Sequence, residues 1–297
     1  MKFPNTVTSG EWRVTRKAGT ANLVTCHLSL VTPRSAFTMI EIAISLAIIG
    51  IALVGIIGVL PVGLNTQRAN REQTVIGQDA TVFMEDIRNG ARGADDLTNY
   101  VYAIVNTGLN PQVGYLNPLL ADEMNFSKTA FPAIPANQWH SILTNGANIV
   151  GLLSTPEFLN ANGGIADSLY TAATSNHVVA SVRSINGPAF EKPPQDNPIV
   201  QQDSFSYRIY CVNGPVAMDT NIFNLSVSDP RRIYSDQLAA NLHELRLTFL
   251  WPVLPSGNLP ARPSQATYRT LVAGQVAQDA ADTNLYFYQP QSFTNAP

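Results

Sequence analysis

The most prominent pattern along the chain is an apolar run from Ile42 to Leu64, 23 residues that include no charged side chain. At about 1.5 Å per helical residue, such a run spans the ~30 Å hydrocarbon layer of a bilayer. A secretory signal peptide has a shorter apolar core of about 7–15 residues and a small-residue cleavage site, which the following PVGLNTQ does not supply. The run therefore predicts a membrane-inserted helix rather than a cleaved signal or a buried core helix.

The helix is predicted to continue past the apolar run. Ile76, Ala80, Phe83 and Ile87 recur at spacings of four, three and four residues, which places them on one face. The polar residues of this stretch are expected mostly on other faces: Arg71, Glu72, Gln78, Asp79, Glu85 and Asp86.

Two features predict where this helix ends and where it bends. Asn89-Gly90, followed by Gly93, supplies a stop. Pro61 removes one backbone donor and is predicted to kink or locally melt the helix. The 53 residues from Phe37 to Asn89 would extend roughly 80 Å, too far for one compact domain, so the first half is expected to lie elsewhere.

Beyond about residue 95 the pattern changes to short alternating runs separated by turn residues. HVVASVRSI, DSFSYRIYCVNG, HELRLTFLWPV, TYRTLVAG and NLYFYQ are predicted strands. Two of them place four apolar residues on one face: Phe205, Tyr207, Ile209 and Cys211 in one, and Leu245, Leu247, Phe249 and Trp251 in the other. For residues 100–170 the sequence predicts long loops and a short helix near TPEFLNA. One long helix followed by a mainly antiparallel sheet is an α+β fold.

Charge is distributed unevenly on the two sides of the apolar run. Residues 1–36 carry a net +4 and the remainder −7, and basic flanks stay in the cytoplasm. Three regions follow: a basic leader at 1–36, a long helix at 37–92 with its membrane half at 40–64, and a β-rich extracytoplasmic domain at 93–297. No basic cluster lies beyond the first 34 residues, so we do not expect a nucleic-acid partner.

The residues from Arg34 to Glu41 form a recognisable motif. Ala36-Phe37-Thr38-Met39-Ile40-Glu41, after a basic residue and before the apolar run, resembles the prepilin motif of type IV pilins and type II secretion pseudopilins. In that family a prepilin peptidase cuts before a Phe and methylates the new N-terminus, and the fifth mature residue is glutamate, here Glu41. The resemblance covers roughly residues 34–90. PVGLN and LTFLWPVLP show a looser likeness to pilin-like proteins of Verrucomicrobia-type bacteria.

The resemblance implies a cellular location, a processing step, assembly into a filament and a set of partners. The subunit would sit in the bacterial inner membrane as a single-pass protein with its N-terminus cytoplasmic and its C-terminal domain periplasmic or extracellular. It would be cleaved between Ala36 and Phe37, and then assembled through its helix into a type IV pilus-like or pseudopilus filament. Implied partners are the prepilin peptidase/N-methyltransferase, other pilin-like subunits, the inner-membrane assembly platform and membrane lipid. The mature length of about 261 residues favours a minor or tip subunit, or a pseudopilin.

The resemblance and elementary electrostatics agree on Glu41. A free amine at Phe37 would be buried among apolar helices in a fibre, and a buried charge without a partner costs several kcal/mol. Glu41 is expected to be that partner, within its own subunit or across to a neighbour. Ala36 stands where the family usually has Gly, and Pro61 falls a few residues later than the family's proline.

Catalytic and metal-binding patterns are sparse in the sequence. No H-E-x-x-H, G-x-S-x-G or P-loop motif is present, and no enzymatic activity is expected. Asp279 and Asp282 are weak candidates for Ca²⁺, with a solvated acidic loop the favoured interpretation. Cys211 is predicted to be a small buried strand residue, and His243 to be structural.

Two other functions remain open at this point. The first is a single-pass, signal-anchored extracytoplasmic binding protein that is not polymerised. The second is a periplasmic enzyme with an unusual leader.

Overall fold

The computed structural model describes residues 37–90, 94–108, 112–124, 126–159, 174–185, 206–216, 220–254 and 256–293. The predictions for the leader at 1–36, for Ala36, for Gly93 and for Phe205 lie outside the described residues. The chain divides into two units, one ending at Pro61 and one beginning at Val62.

Helix α1 runs from Met39 to Asn89, 51 residues, and confirms the predicted long helix. The helix is continuous through Pro61, and the kink at this residue stays a prediction. The predicted stop at Asn89-Gly90 is confirmed, because Gly90 adopts a left-handed φ of 66°. A Cβ at Gly90 would lie 2.8 Å from the Tyr288 carbonyl oxygen, so this position requires glycine for space as well as for conformation.

The predicted apolar stripe on the second part of α1 is confirmed. Ile76, Ala80, Phe83 and Ile87 are fully buried and belong to the main hydrophobic cluster. Asp79 departs from the prediction, because it is fully buried rather than on a solvent face. It lies one residue before Ala80 on the buried side, where polar groups of the second unit donate hydrogen bonds to it.

Seven strands make up the main sheet. They are β1 Val101–Asn106, β2 Val113–Leu116, β3 Trp139–His140, β6 Val178–Arg183, β7 Ser206–Pro215, β8 Leu242–Trp251 and β9 Ser264–Ala273. Their order across the sheet is β3-β2-β1-β6-β7-β8-β9. Among these described strands only β2 and β3 pair in parallel, so the mainly antiparallel sheet and the α+β class are confirmed. Two further pairs are separate: β4 Phe158–Leu159 with β5 Thr174–Ser175, and β10 Gln275–Gln278 with β11 Tyr286–Gln289.

Strands β7 and β8 bury the faces that their alternation predicts. In the main cluster they contribute Tyr207, Ile209 and Cys211 from β7, and Leu245, Leu247, Phe249 and Trp251 from β8. Cys211 is a buried free thiol that donates to the Leu153 carbonyl at 3.0 Å, which confirms its structural interpretation.

The region 100–170 contains more regular structure than the sequence predicts. Helix α2, Pro118–Glu123, and helix α3, Gly146–Leu153, accompany strands β1 to β3. The prediction of a short helix near TPEFLNA is wrong, because α3 ends at Leu153 and Phe158–Leu159 is a strand. All six residues of β1 are buried, so this strand lacks the alternation that identifies a half-exposed strand.

The two faces of the sheet are covered by different clusters. The main cluster joins α1 and α3 to one face. A second cluster covers the other face near β1 and comprises Tyr102, Ala103, Leu116, Leu120 and Ala121, with Met124, Phe126 and Trp139 against it. A last helix, α4 at Pro230–Asn241, begins with Asp229 as its N-cap and leads directly into β8.

Candidate functional site

The start of α1 carries a reciprocal set of hydrogen bonds between Thr38 and Glu41. Thr38 precedes the first helical residue, and Glu41 is the third residue of the helix. Glu41 Oε2 accepts from the Thr38 backbone N at 2.9 Å and from the Thr38 hydroxyl at 2.9 Å. The Glu41 backbone N lies 3.4 Å from Thr38 Oγ1. This is the capping-box arrangement, in which a T-x-x-E sequence provides partners for the free N–H groups of a helix N-terminus.

The capping box means that Glu41 stabilises the N-terminus of α1. A carboxylate in the first turn also interacts favourably with the positive end of the helix dipole. Thr38 was not singled out from the sequence, although the T-x-x-E spacing before an apolar run is the signal that identifies it. The Glu41 carboxylate thus accepts from the backbone nitrogen that directly follows the Phe37 nitrogen along the chain.

The helix beyond this cap presents apolar side chains in all directions. Every residue from Phe37 to Asn70 is exposed. The large apolar side chains among them are Phe37, Met39, Ile40, Ile42, Ile44, Leu46, Ile48, Ile49, Ile51, Leu53, Val54, Ile56, Ile57, Val59, Leu60, Val62 and Leu64. A helix that is apolar all round requires an apolar surrounding, which is a protein core, a membrane or a bundle of such helices.

The membrane is one such surrounding that the helix fits. Within the described part of the chain, α1 is the one helix long and apolar enough to cross a bilayer, judged by length and composition. Its most apolar 18-residue stretch has a mean hydropathy of 2.8, with none of it buried inside the protein. The predicted membrane-length helix is thus present.

In the second unit, Asp79 joins α1 to the sheet. Its Oδ2 accepts from the Tyr207 hydroxyl at 2.8 Å and from the Ile185 backbone N at 3.0 Å. Burial, reinforced by the Asp79 carboxylate, raises the pKa of Tyr207 well above its usual range, so this phenol remains a donor at any physiological pH. The interaction is a structural link between helix and sheet.

The two candidate calcium ligands form a turn. Asp282 Oδ1 accepts from the Asn284 backbone N and side-chain Nδ2, each at 3.0 Å, as an aspartate does in a local turn. The Asp279 backbone N donates to the Leu285 carbonyl at 2.8 Å. Among the described residues, no group of three or more His, Cys, Asp or Glu side chains is placed to hold a metal ion.

Asp86 and His243, both in the second unit, have pKa values that are shifted in opposite directions. Burial raises the pKa of Asp86 to about 6, and the nearby Asp96 and Glu85 carboxylates act in the same direction. Burial lowers the pKa of His243, whose ring packs edge-on against Tyr288 with centroids 5.6 Å apart. Both residues make the stability of the domain depend on pH.

Comparison of the chain with protein-family models, with curated proteins and with solved structures finds no match. The basis for assigning a function is therefore the motif at residues 34–41 together with the geometry of the helix that follows it.

Proposed function

We propose that this chain is a pilin-like or pseudopilin subunit, inserted in the bacterial inner membrane and cleaved before Phe37. The new N-terminus is methylated by the prepilin peptidase. The subunit then joins other pilin-like subunits on an inner-membrane assembly platform. The exposed apolar helix serves first as membrane anchor and then as the packing element of a filament.

One observation carries this proposal: the position of the Glu41 carboxylate relative to Phe37. Glu41 Oε2 lies 2.9 Å from the Thr38 nitrogen, and the Phe37 nitrogen is the preceding one along the backbone. Cleavage before Phe37 would turn that neighbouring nitrogen into a charged amine, at most about 6–7 Å from the carboxylate oxygen, since adjacent backbone nitrogens are about 3–4 Å apart. The helix cap therefore holds the acid beside the charge that processing creates.

The energetics favour keeping these two groups together. In a bundle of apolar helices, an unpaired amine or carboxylate costs several kcal/mol, whereas a hydrogen-bonded pair is tolerated. From Ile42 to Leu64 there is no charged residue that could substitute for Glu41. The pair therefore also selects the helix register in which it is satisfied, within one subunit or between neighbours.

The first experiment is to determine the mature N-terminus of the chain expressed with a prepilin peptidase. N-methylated Phe37 is the expected result. An uncut chain would instead identify the anchored binding protein that does not polymerise. A start beyond residue 64 would identify a secreted domain and refute the pilin proposal.

A second experiment separates the two roles of Glu41. Glu41→Gln keeps an oxygen that accepts from the Thr38 nitrogen, since glutamine also serves at this position of a capping box, but it removes the charge. Glu41→Ala removes both. We expect both variants to insert in the membrane and both to be lost from filaments. Normal incorporation of Glu41→Gln would show that Glu41 acts only as a cap and would refute the charge pair.

A further inference from the structure

A polar segment of α1, residues 65–74, separates the apolar run from the folded domain. All but one of its residues are exposed, and Glu72 is half-buried. Val75 is the first buried residue of the helix. The segment is therefore exposed helix, about 15 Å long, between the apolar run and the first buried residue of α1.

The charged residues of this segment are few and closely placed. Between Ile42 and Gln78 the sequence has three charged side chains, Arg68, Arg71 and Glu72, with a net charge of +1. Arg68 and Arg71 are three residues apart, so they project from neighbouring positions on one side of the helix. Both side chains are exposed.

Their distance from the apolar run matches one layer of a bilayer. Along the helix axis, Arg68 lies about 6 Å and Arg71 about 10 Å beyond Leu64. The headgroup layer adds roughly 5–8 Å to the hydrocarbon on each side. A helix whose apolar run fills the hydrocarbon therefore places Arg68 in the headgroup layer and the backbone of Arg71 a few ångströms beyond it, from where the long arginine side chain reaches back toward the layer.

We propose that Arg68 and Arg71 bind the phosphates of membrane lipids and give the anchored chain a preference for anionic lipid. The guanidinium groups supply paired N–H donors suited to phosphate oxygens. The inference rests on the membrane span of the proposed function. It adds a specific lipid-binding site that fixes how deeply the helix sits, whichever side of the membrane the domain occupies.

The test uses the full chain in mild detergent with equal amounts of phosphatidylglycerol and phosphatidylcholine. Native mass spectrometry counts the lipids that each chain retains. The wild-type chain is expected to retain phosphatidylglycerol preferentially, and Arg68→Gln/Arg71→Gln is expected to reduce that preference about tenfold. The matched control, Arg88→Gln/Arg231→Gln, removes the same charge at exposed positions outside the segment and is expected to keep the preference.

Three outcomes would overturn the inference. The first is equal retention of both lipids by the wild-type chain. The second is an equal loss of the phosphatidylglycerol preference in Arg88→Gln/Arg231→Gln, which would indicate a general charge effect. The third is an Arg68→Gln/Arg71→Gln variant with wild-type lipid preference that fails only in filament incorporation, which would assign the arginines to a neighbouring subunit. Membrane extraction with alkaline carbonate, done first, separates these results from failure of the span itself, because a chain that is extracted refutes the proposed function.

Discussion

The buried link between Asp79 and Tyr207 predicts a large and coupled loss of stability on mutation. Both side chains are fully buried. Asp79→Ala removes the acceptor of the buried Tyr207 hydroxyl and of the half-buried Ile185 N–H, and each hydrogen bond to a carboxylate contributes about 1.5–3 kcal/mol, so we expect a loss of about 3 kcal/mol. Tyr207→Phe removes one hydrogen bond to a carboxylate, for which about 2 kcal/mol is expected.

The double variant makes the test specific to this interaction. In Asp79→Ala/Tyr207→Phe no tyrosine hydroxyl is left unsatisfied, so the total loss should fall short of the sum of the two single losses by about 1–2 kcal/mol. Glu85→Ala is the control on the same helix. Its carboxylate forms an exposed pair with Arg88 at 3.7 Å, and its loss should change stability by less than about 0.5 kcal/mol.

The assay is urea unfolding of the full chain in mild detergent, followed by tryptophan fluorescence, to which buried Trp251 contributes together with Trp12 and Trp139. The free energies of unfolding are compared at constant detergent and pH. A loss below about 1 kcal/mol for Asp79→Ala, or strict additivity in the double variant, would refute the assignment of Asp79 as the link between helix and sheet.

Three further predictions concern the same domain. Gly146→Ala should destabilise it by about 3 kcal/mol, because the added Cβ would lie 2.1 Å from the Ala94 carbonyl oxygen, and thermal unfolding measures this loss. The raised pKa of Asp86 means that the folded state binds a proton more tightly than the unfolded state. The stability of the wild-type protein should therefore fall by about 1 kcal/mol as the pH rises from about 4 to 6, and Asp86→Asn should abolish this fall. Burial of His243 favours its neutral imidazole in the folded state, so the stability of the wild-type protein should fall as the pH falls below about 6.5. His243→Phe should reduce this dependence of stability on pH.

Each of these predictions has its own contrary result. Gly77→Ala is the control for the glycine substitution, because its Cβ would lie an ordinary 3.4 Å from the Tyr268 hydroxyl oxygen and should not destabilise the helix. Equal losses at both glycines would contradict the steric argument. For the two pH predictions, urea midpoints between about pH 4 and 8 that change in parallel in wild type and variant would contradict the assigned groups.

The parts of the fold with a clear sequence period were predictable. The apolar stripe at Ile76, Ala80, Phe83 and Ile87 has the period of a helix, and the alternation in β7 and β8 has the period of a strand with one face in the main core. The stop at Gly90 was predictable because glycine adopts the left-handed conformation that ends the helix without the steric penalty of a Cβ.

Other parts could not be predicted because their signal depends on tertiary contacts. Strand β1 is buried on both faces, so Val101–Asn106 shows no alternation. Asp79 has the character of a surface residue until the sheet supplies Tyr207 as its donor. Thr38 differs from these cases, because the signal for the capping box was local and present in the sequence. The motif at Glu41 suggested a site from the sequence, and the structure adds the hydrogen-bond geometry around it.

The hydrogen bonds that join Asp79 to the sheet can form only after a long further stretch of the chain has been synthesised. Its partners Ile185 and Tyr207 are 106 and 128 residues farther along the chain. At about 5–20 residues per second of synthesis, 128 residues take roughly 6–25 s. Throughout that interval the stripe from Ile76 to Ile87 lacks strands β7 and β8, which supply part of the hydrophobic cluster that covers it. A chain made in this order completes this part of its core late, and during the interval the incompletely covered stripe is open to aggregation and proteolysis.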